Sequence, residues 1–267
     1  MEKLFQYRFK GKSELAGHSF GNLFIAAMTE VTGDVETALR ESSKVLAVKG
    51  EVLPASKEHV RLDAIMDDGS VVEGESHIPE VHKHIRRVKL FPPHVQPVQA
   101  ALDALMHADA IILGPGSLYT SIMPNLCVPD IVDAVRTSKA PKIYICNVMT
   151  QPGETDDYSV SDHIKAINRQ AGGKLIDFVI ANNGDVDPTV LQRYVAHGSH
   201  PVMIDKKEVA QTGATLILSD LINKENSATH DTKKLANVLF DLINALRTDL
   251  SPELLHYYLK RYTFNHR

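Results

Sequence analysis

From Pro97 onward, short apolar runs and amphipathic segments take strict turns along the chain. Helical spacing over 98–107, 129–138, 159–170 and 188–196 alternates with strand-like runs over 110–113, 142–146 and 176–180, then with shorter ones over 201–204 and 215–218. A chain that alternates in this way builds parallel strands joined by right-handed crossovers, with helices covering the sheet. The expected fold is therefore α/β: a Rossmann-like, doubly wound, mostly parallel sheet in an α/β/α arrangement. Two amphipathic helices, over 231–247 and 252–262, close the chain.

The earlier part follows other rules. Residues 1–10 (MEKLFQYRFK) read as an amphipathic helix with Leu4, Phe5 and Phe9 on one side. Residues 23–28 (LFIAAM) are apolar nearly all round and predict a buried helix. Asp34 is placed to cap a further helix over 35–46. The period then changes: runs over 48–53, 60–66, 71–78 and 85–90 predict antiparallel strands, with Asp67-Asp68-Gly69-Ser70 as a hairpin turn. The reading is one domain, 1–267, with an antiparallel β-hairpin insertion at about 48–91 and C-terminal helices at about 231–262.

Composition narrows the function classes. A net charge of -4 argues against a nucleic-acid partner, which calls for a basic surplus. The one basic stretch, His82 to Lys89, reads as a solvated strand edge. Two cysteines, Cys127 and Cys146, lie in apolar sequence with no metal-ligand spacing and are expected to be reduced, buried thiols. No apolar run approaches the roughly 20 residues that span a bilayer, and no signal-peptide pattern precedes the first helix, so the expected location is the cytoplasm.

Three loops carry the candidate chemistry. In Gly114-Pro115-Gly116-Ser117-Leu118-Tyr119-Thr120-Ser121 an apolar strand stops at two glycines, which let backbone approach a ligand closely, and Ser117 can cap the turn that follows. Free N–H groups there suit an anion such as phosphate; the same residues also suit a plain strand-to-helix turn. After the run 142–146 comes Asn147-Val148-Met149-Thr150-Gln151-Pro152-Gly153-Glu154-Thr155. Its amides and hydroxyls can read a sugar, ribose or base edge, and Glu154 can accept from hydroxyls or hold a divalent cation. The bland alternative is a Pro-Gly turn with Thr155-Asp156-Asp157 capping the next helix. The third loop is Gly17-His18-Ser19-Phe20-Gly21-Asn22, where His18 can hydrogen-bond a phosphate at a helix start. Tyr194 can stack on a base or simply pack, and Asp187 reads as a helix cap.

These loops, GHSFGNLFIAAMTEVTGD, ILGPGSLYTSIMPNLCVPDI and YICNVMTQPGETDDYSVSDH, closely resemble the YvcK branch of the CofD-like family, as do KVLAVKGEVLPAS and DDGSVVEGESHI. The resemblance implies a Rossmann-like fold and ligand contacts at Gly17, His18, Ser19, Gly21, Asn22, Gly114, Gly116, Ser117, Tyr119, Thr120, Asn147, Met149, Thr150, Gln151, Gly153, Glu154, Thr155 and Tyr194. It implies a UDP-sugar ligand, UDP-N-acetylglucosamine or UDP-glucose, bound by a gluconeogenesis factor that supports cell shape and wall synthesis, regulatory rather than catalytic. The expected partners are wall-synthesis or regulatory proteins and a Ser/Thr kinase acting at Thr232, with the insertion and C-terminal helices suited to docking or homo-oligomers. The other branch of the family, the 2-phospho-L-lactate transferases, implies an alternative: transfer of a phosphorylated small acid from a nucleotide with Mg2+. Family members open with a strand and a Gly-Gly-Gly-Thr-Gly loop that are missing ahead of Met1, so the resemblance also implies a chain that starts inside its domain.

Overall fold

The computed structural model describes residues 2–5, 7–12, 15–46, 49–223 and 227–247. The chain divides into two compact units, Met1–His59 with Gln96–Asp103, and Val60–Val95 with Ala104–Arg267.

The first unit is helical. Helix α1 spans only Glu2–Phe5. The helix expected over 1–10 therefore stops early: Arg8 forms a β-bridge with Ser19, so Phe9 leaves the helical face. Helix α2 (Phe20–Thr32) is capped by Ser19, whose hydroxyl accepts from the Asn22 N–H. It buries Gly21 while its apolar residues 23–28 stay half-buried or exposed, which corrects the expectation of a buried helix. Helix α3 (Val35–Val45) starts at Asp34, whose carboxylate accepts from Thr37, as its position in the sequence implies. Residues 49–53 form no strand, and residue 48 lies outside the described residues. The expected strand fails because Glu51-Val52-Leu53-Pro54 runs straight into a proline that cannot donate to a ladder. Helix α4 (Gln99–Met106) begins in this unit.

The second unit holds both sheets. Strands β1 (Arg61–Met66), β2 (Val71–Glu73) and β3 (Ile85–Phe91) form an antiparallel sheet in the order β2-β1-β3, with the turn at 67–70 where the sequence puts it. β2 is shorter than the run 71–78 because Gly74 breaks it and two 3-10 turns, Glu75–His77 and Pro79–Val81, take over. The basic residues Arg86, Arg87 and Lys89 lie exposed on edge strand β3. That edge is answered by a side chain: the Gln170 amide accepts from Val88 N–H and donates to Val88 C=O, both at 3.1 Å, occupying groups that would invite another strand.

The parallel sheet runs β4 (Ile111–Leu113), β5 (Lys142–Ile145), β6 (Phe178–Asn182) and β7 (Thr215–Ser219), with sheet order equal to chain order. Between β4 and β5 come a π-turn (Leu118–Ile122), α5 (Met123–Leu126) and α6 (Pro129–Thr137). The remaining crossovers contain α7 (Val160–Gln170), then α8 (Pro188–Val195) and α9 (Lys206–Gln211), and α10 (Thr232–Arg247) follows β7. The segment 201–204 makes only isolated bridges, to Met149 and Ser159. The start of α7 is held by a capping box between Ser159 and Asp162, not by residues 155–157. Asp187 caps α8. The core joins Ile143, Ile145, Ile180 and Ile217 of the sheet to Leu235, Val238 and Leu242 of α10. Both cysteines are free thiols. The helix expected over 252–262 lies outside the described residues. Among those described, no helix is long and apolar enough to cross a membrane.

One core residue sets a pH limit. His163 on α7 is fully buried, stacked on Tyr144 and edge-on to Tyr158, and its Nδ1 donates to the Ser159 carbonyl at 2.8 Å. Burial pulls its pKa below the ordinary 6.5, with the Ser159 carbonyl, Asp162 and Asp205 opposing. The folded chain therefore favours the neutral ring. Stability from this group is present above pH 6.5 and falls as the pH drops below it, by up to about 1.4 kcal/mol per pH unit. Urea unfolding at pH 7.5 and pH 5 should show a smaller loss on acidification for His163→Phe than for the unaltered chain; equal losses would place the sensitivity elsewhere.

Candidate functional site

Two loops meet beyond the carboxyl ends of β4 and β5, where an open α/β sheet takes its ligands. Gly114, which ends the first strand, has φ +89, and a Cβ there would stand 3.1 Å from the Ile145 carbonyl. Glycine thus lets the first loop lie directly on the end of the neighbouring strand. Side chains then lock the loops together. Gln151 donates to the Ser117 hydroxyl at 2.7 Å and accepts from the Asn147 amide at 3.2 Å. Thr120 donates to Glu154 Oε1 at 3.2 Å. Thr150 is tied to the segment after α8, accepting from His200 N–H while Ser199 donates to its carbonyl.

These bonds sort the expected site residues. Gly116, Asn147, Met149, Thr150, Gln151 and Glu154 line one cavity of 710 Å³, and Tyr194 and Thr232 stand at its wall. Tyr119 does not reach it: the ring is fully buried, and its hydroxyl donates to the Ile85 carbonyl and meets Tyr158. Thr155 is equally buried, its hydroxyl accepting from Gln151 N–H. Ser117 gives no side-chain cap to the π-turn, because its hydroxyl is engaged by Gln151. Gly153 is a point of close backbone approach to Pro79. In the first unit, His18 and Asn22 are exposed, Ser19 caps α2, and Gly21 is packed against Phe5. Gly17 has φ +85 and accepts from Arg8 through its carbonyl.

His230 also lines the cavity, although its segment reads in the sequence as an exposed helix start; the ring is partly buried. Burial lowers its pKa, with the Cys146 carbonyl opposing, so the ring is held neutral. Glu154 is pushed the other way. Burial raises its pKa, while the Thr120 hydroxyl and nearby Tyr119 N–H favour the charged form and Glu75 adds repulsion.

The decisive feature is what these groups lack. Asn147 Oδ1, Glu154 Oε2 and His230 Nε2 are buried and have no hydrogen-bond partner among the described residues. All three belong to the wall of the same cavity. Burying an unpaired polar atom costs about 1–3 kcal/mol, so three around one space mark a place built for a polar guest. Among the described residues the lining contains neither Lys nor Arg, and Glu154 is its single carboxylate. Within this cavity a divalent cation would find one carboxylate, and burial drives that one toward its neutral form.

Comparison with known proteins gives this cavity a family. The profile described as "2-phospho-L-lactate transferase CofD" matches residues 1–222. The chain belongs to the CofD family. It is 47% identical over 244 residues to a Bacillus subtilis protein named "Gluconeogenesis factor", covering 91% of this chain and 77% of that one. It is 48% identical over 242 residues to a protein of Nostoc sp., covering 90% of this chain but only 53% of that one. The chain thus spans about half the length of the Nostoc relative. The crystal structure of a UPF0052 family member from Bacillus halodurans matches with a TM-score of 0.84 at 42% identity, over 90% of this chain and 77% of that one. The Rossmann-like α/β reading of the fold is borne out.

Proposed function

We infer that the chain is a nucleotide-sugar-binding factor of gluconeogenic growth, regulatory rather than catalytic, with UDP-N-acetylglucosamine or UDP-glucose as its ligand. The reading rests on the cavity lined by Asn147, Glu154 and His230, whose Oδ1, Oε2 and Nε2 are buried without a partner among the described residues. Two acceptors and a neutral imidazole are suited to N–H and O–H groups of a uracil, ribose or sugar. The diphosphate would be met by backbone N–H groups at the Pro115-Gly116-Ser117 turn, since the wall, among the described residues, offers no Lys or Arg. Names borne by relatives, "Gluconeogenesis factor" among them, favour the same role. Through that role the protein would support cell shape and wall synthesis in the cytoplasm, with wall-synthesis or regulatory proteins as partners. Thr232, exposed at the first turn of α10 and on the cavity wall, is where a kinase would add a dianion at the ligand's door.

The family's transferase description supports a second reading, transfer of a phosphorylated small acid. It is the weaker one, because burial drives Glu154 toward its neutral form, which disfavours a bound cation.

A thermal-shift series with UDP-N-acetylglucosamine, UDP-glucose, GTP and a deazaflavin acceptor tests both. Stabilisation by the UDP-sugars alone is expected, about 2.7 kcal/mol at a hundred times Kd. Gly116→Val should remove that shift with the fold retained: its Cβ would sit 3.3 Å from Ser121 Cβ, a contact that small local movement relieves. Turnover with the deazaflavin would establish the transferase instead, and silence toward every nucleotide would overturn both.

A further inference from the structure

Glu154 and Thr120 also line a second cavity, of 460 Å³, whose other walls are Glu75, Ser76 and Pro79. Glu75 and Ser76 are exposed residues of the 3-10 turn that follows β2. The antiparallel sheet therefore presents two polar side chains directly opposite the loop after β5. What closes the space between them is backbone contact. Gly153 brings its Cα so near to the Pro79 carbonyl that a Cβ would fall 2.0 Å from that oxygen.

The chemistry of this smaller space is unlike that of an anion or base site. Its polar groups are two carboxylates and two hydroxyls, with no cation facing them among the described residues. Glu154 is 7% exposed, and its Oε2 has no partner among the described residues. Carboxylates and hydroxyls that converge without a counter-charge match the donors of a neutral polyhydroxylated ring. An uncharged hexose supplies several O–H groups to these acceptors and adds no charge.

We propose that Glu75 and Ser76, with Thr120 and Glu154, form the subsite that reads the hexose hydroxyls of the bound nucleotide sugar. The larger cavity takes the nucleotide end, and Glu154 stands between the two. This rests on the nucleotide-sugar reading above and adds to it a named specificity element, carried by the antiparallel sheet.

Titration calorimetry on the 267-residue chain with UDP, UDP-glucose and UDP-N-acetylglucosamine separates the two claims. Glu75→Ala is expected to weaken both UDP-sugars at least tenfold and to leave UDP within twofold. Glu75→Gln, which keeps one acceptor oxygen, is expected to lose less. The unfolding midpoint of each variant without ligand should be unchanged, since Glu75 is exposed. If the unaltered chain binds UDP-sugars and Glu75→Ala binds them equally well, the hexose assignment falls and the nucleotide-sugar reading stands. Equal weakening of UDP and UDP-sugars would also overturn the assignment, as would stabilisation by Mg2+ alone that Glu75→Gln abolishes. A chain that binds no UDP ligand at all defeats both claims.

Discussion

Gly153→Ala should lower the unfolding free energy by on the order of 3–4 kcal/mol, one of the largest effects any single methyl group can have here. Two independent costs fall on that one atom. The residue sits at φ +79, a region that costs an L side chain energy wherever it occurs. The added Cβ would also lie 2.0 Å from the Pro79 carbonyl oxygen and 2.7 Å from its carbon, and both are backbone atoms that cannot rotate away. Relief requires separating the 3-10 turn at Pro79–Val81 from the loop after β5. Since Glu75, Pro79 and Glu154 share a cavity wall, that separation would also dismantle the smaller cavity. Denaturant unfolding of the variant measures the effect. A loss below about 1 kcal/mol would mean that the two backbones are not in contact in solution.

Asn147→Ala is expected to do the opposite, costing binding and sparing stability. The amide is held by a relay: Ser117 holds Gln151, and Gln151 holds the Asn147 NH2 group, leaving Oδ1 fixed and without a partner among the described residues in a residue that lines the cavity. Without ligand that oxygen is a buried acceptor with nothing to accept from, so deleting it removes a penalty along with a weak bond. The unfolding free energy should stay within about 1 kcal/mol of the original. With ligand, the lost hydrogen bond should weaken UDP-sugar binding 10- to 100-fold, the equivalent of about 1.4–2.7 kcal/mol. Should stability fall as far as affinity does, the amide would be a structural group and its placement in the binding site would be wrong.

What the sequence made legible follows from the range of the forces involved. Helices α6, α7, α8 and α10 could be placed because each combines an apolar stripe with a start signal within a few residues: Pro129, Ser159, Pro188 and Asp231. The six-residue α9 buries one side chain, Val209, and so leaves no period to detect. The π-turn and α5 did carry a signal, since Leu118, Ile122, Met123 and Leu126 recur at helical spacing, but Gly-Pro-Gly before them and Pro124 within them read as loop. In the opening segment the error was the reverse. Leu4, Phe5 and Phe9 have helical spacing, and the bridge from Arg8 to Ser19 overrides it.

The candidate site divides on the same principle. The two loops were legible because strand-end position and polar density are local properties. Which of their polar groups face a guest was not, because Tyr119 and Thr155 are as polar as Asn147 and Gln151 but are satisfied by Ile85, Tyr158 and the backbone of the loop itself. Nor could His230 be found, since it reaches the cavity from the segment before α10, far along the chain from both loops.

The order of the parallel sheet has a consequence for how the second unit is made. Each strand from β5 onward pairs on one side with the strand translated just before it. As the chain leaves the ribosome, growth can proceed by laying one new ribbon and its covering helix on a surface that already exists. From β5 onward, each strand finds one neighbour already made when it emerges. Helix α10, translated after all four strands, then covers Ile143, Ile145, Ile180 and Ile217 together.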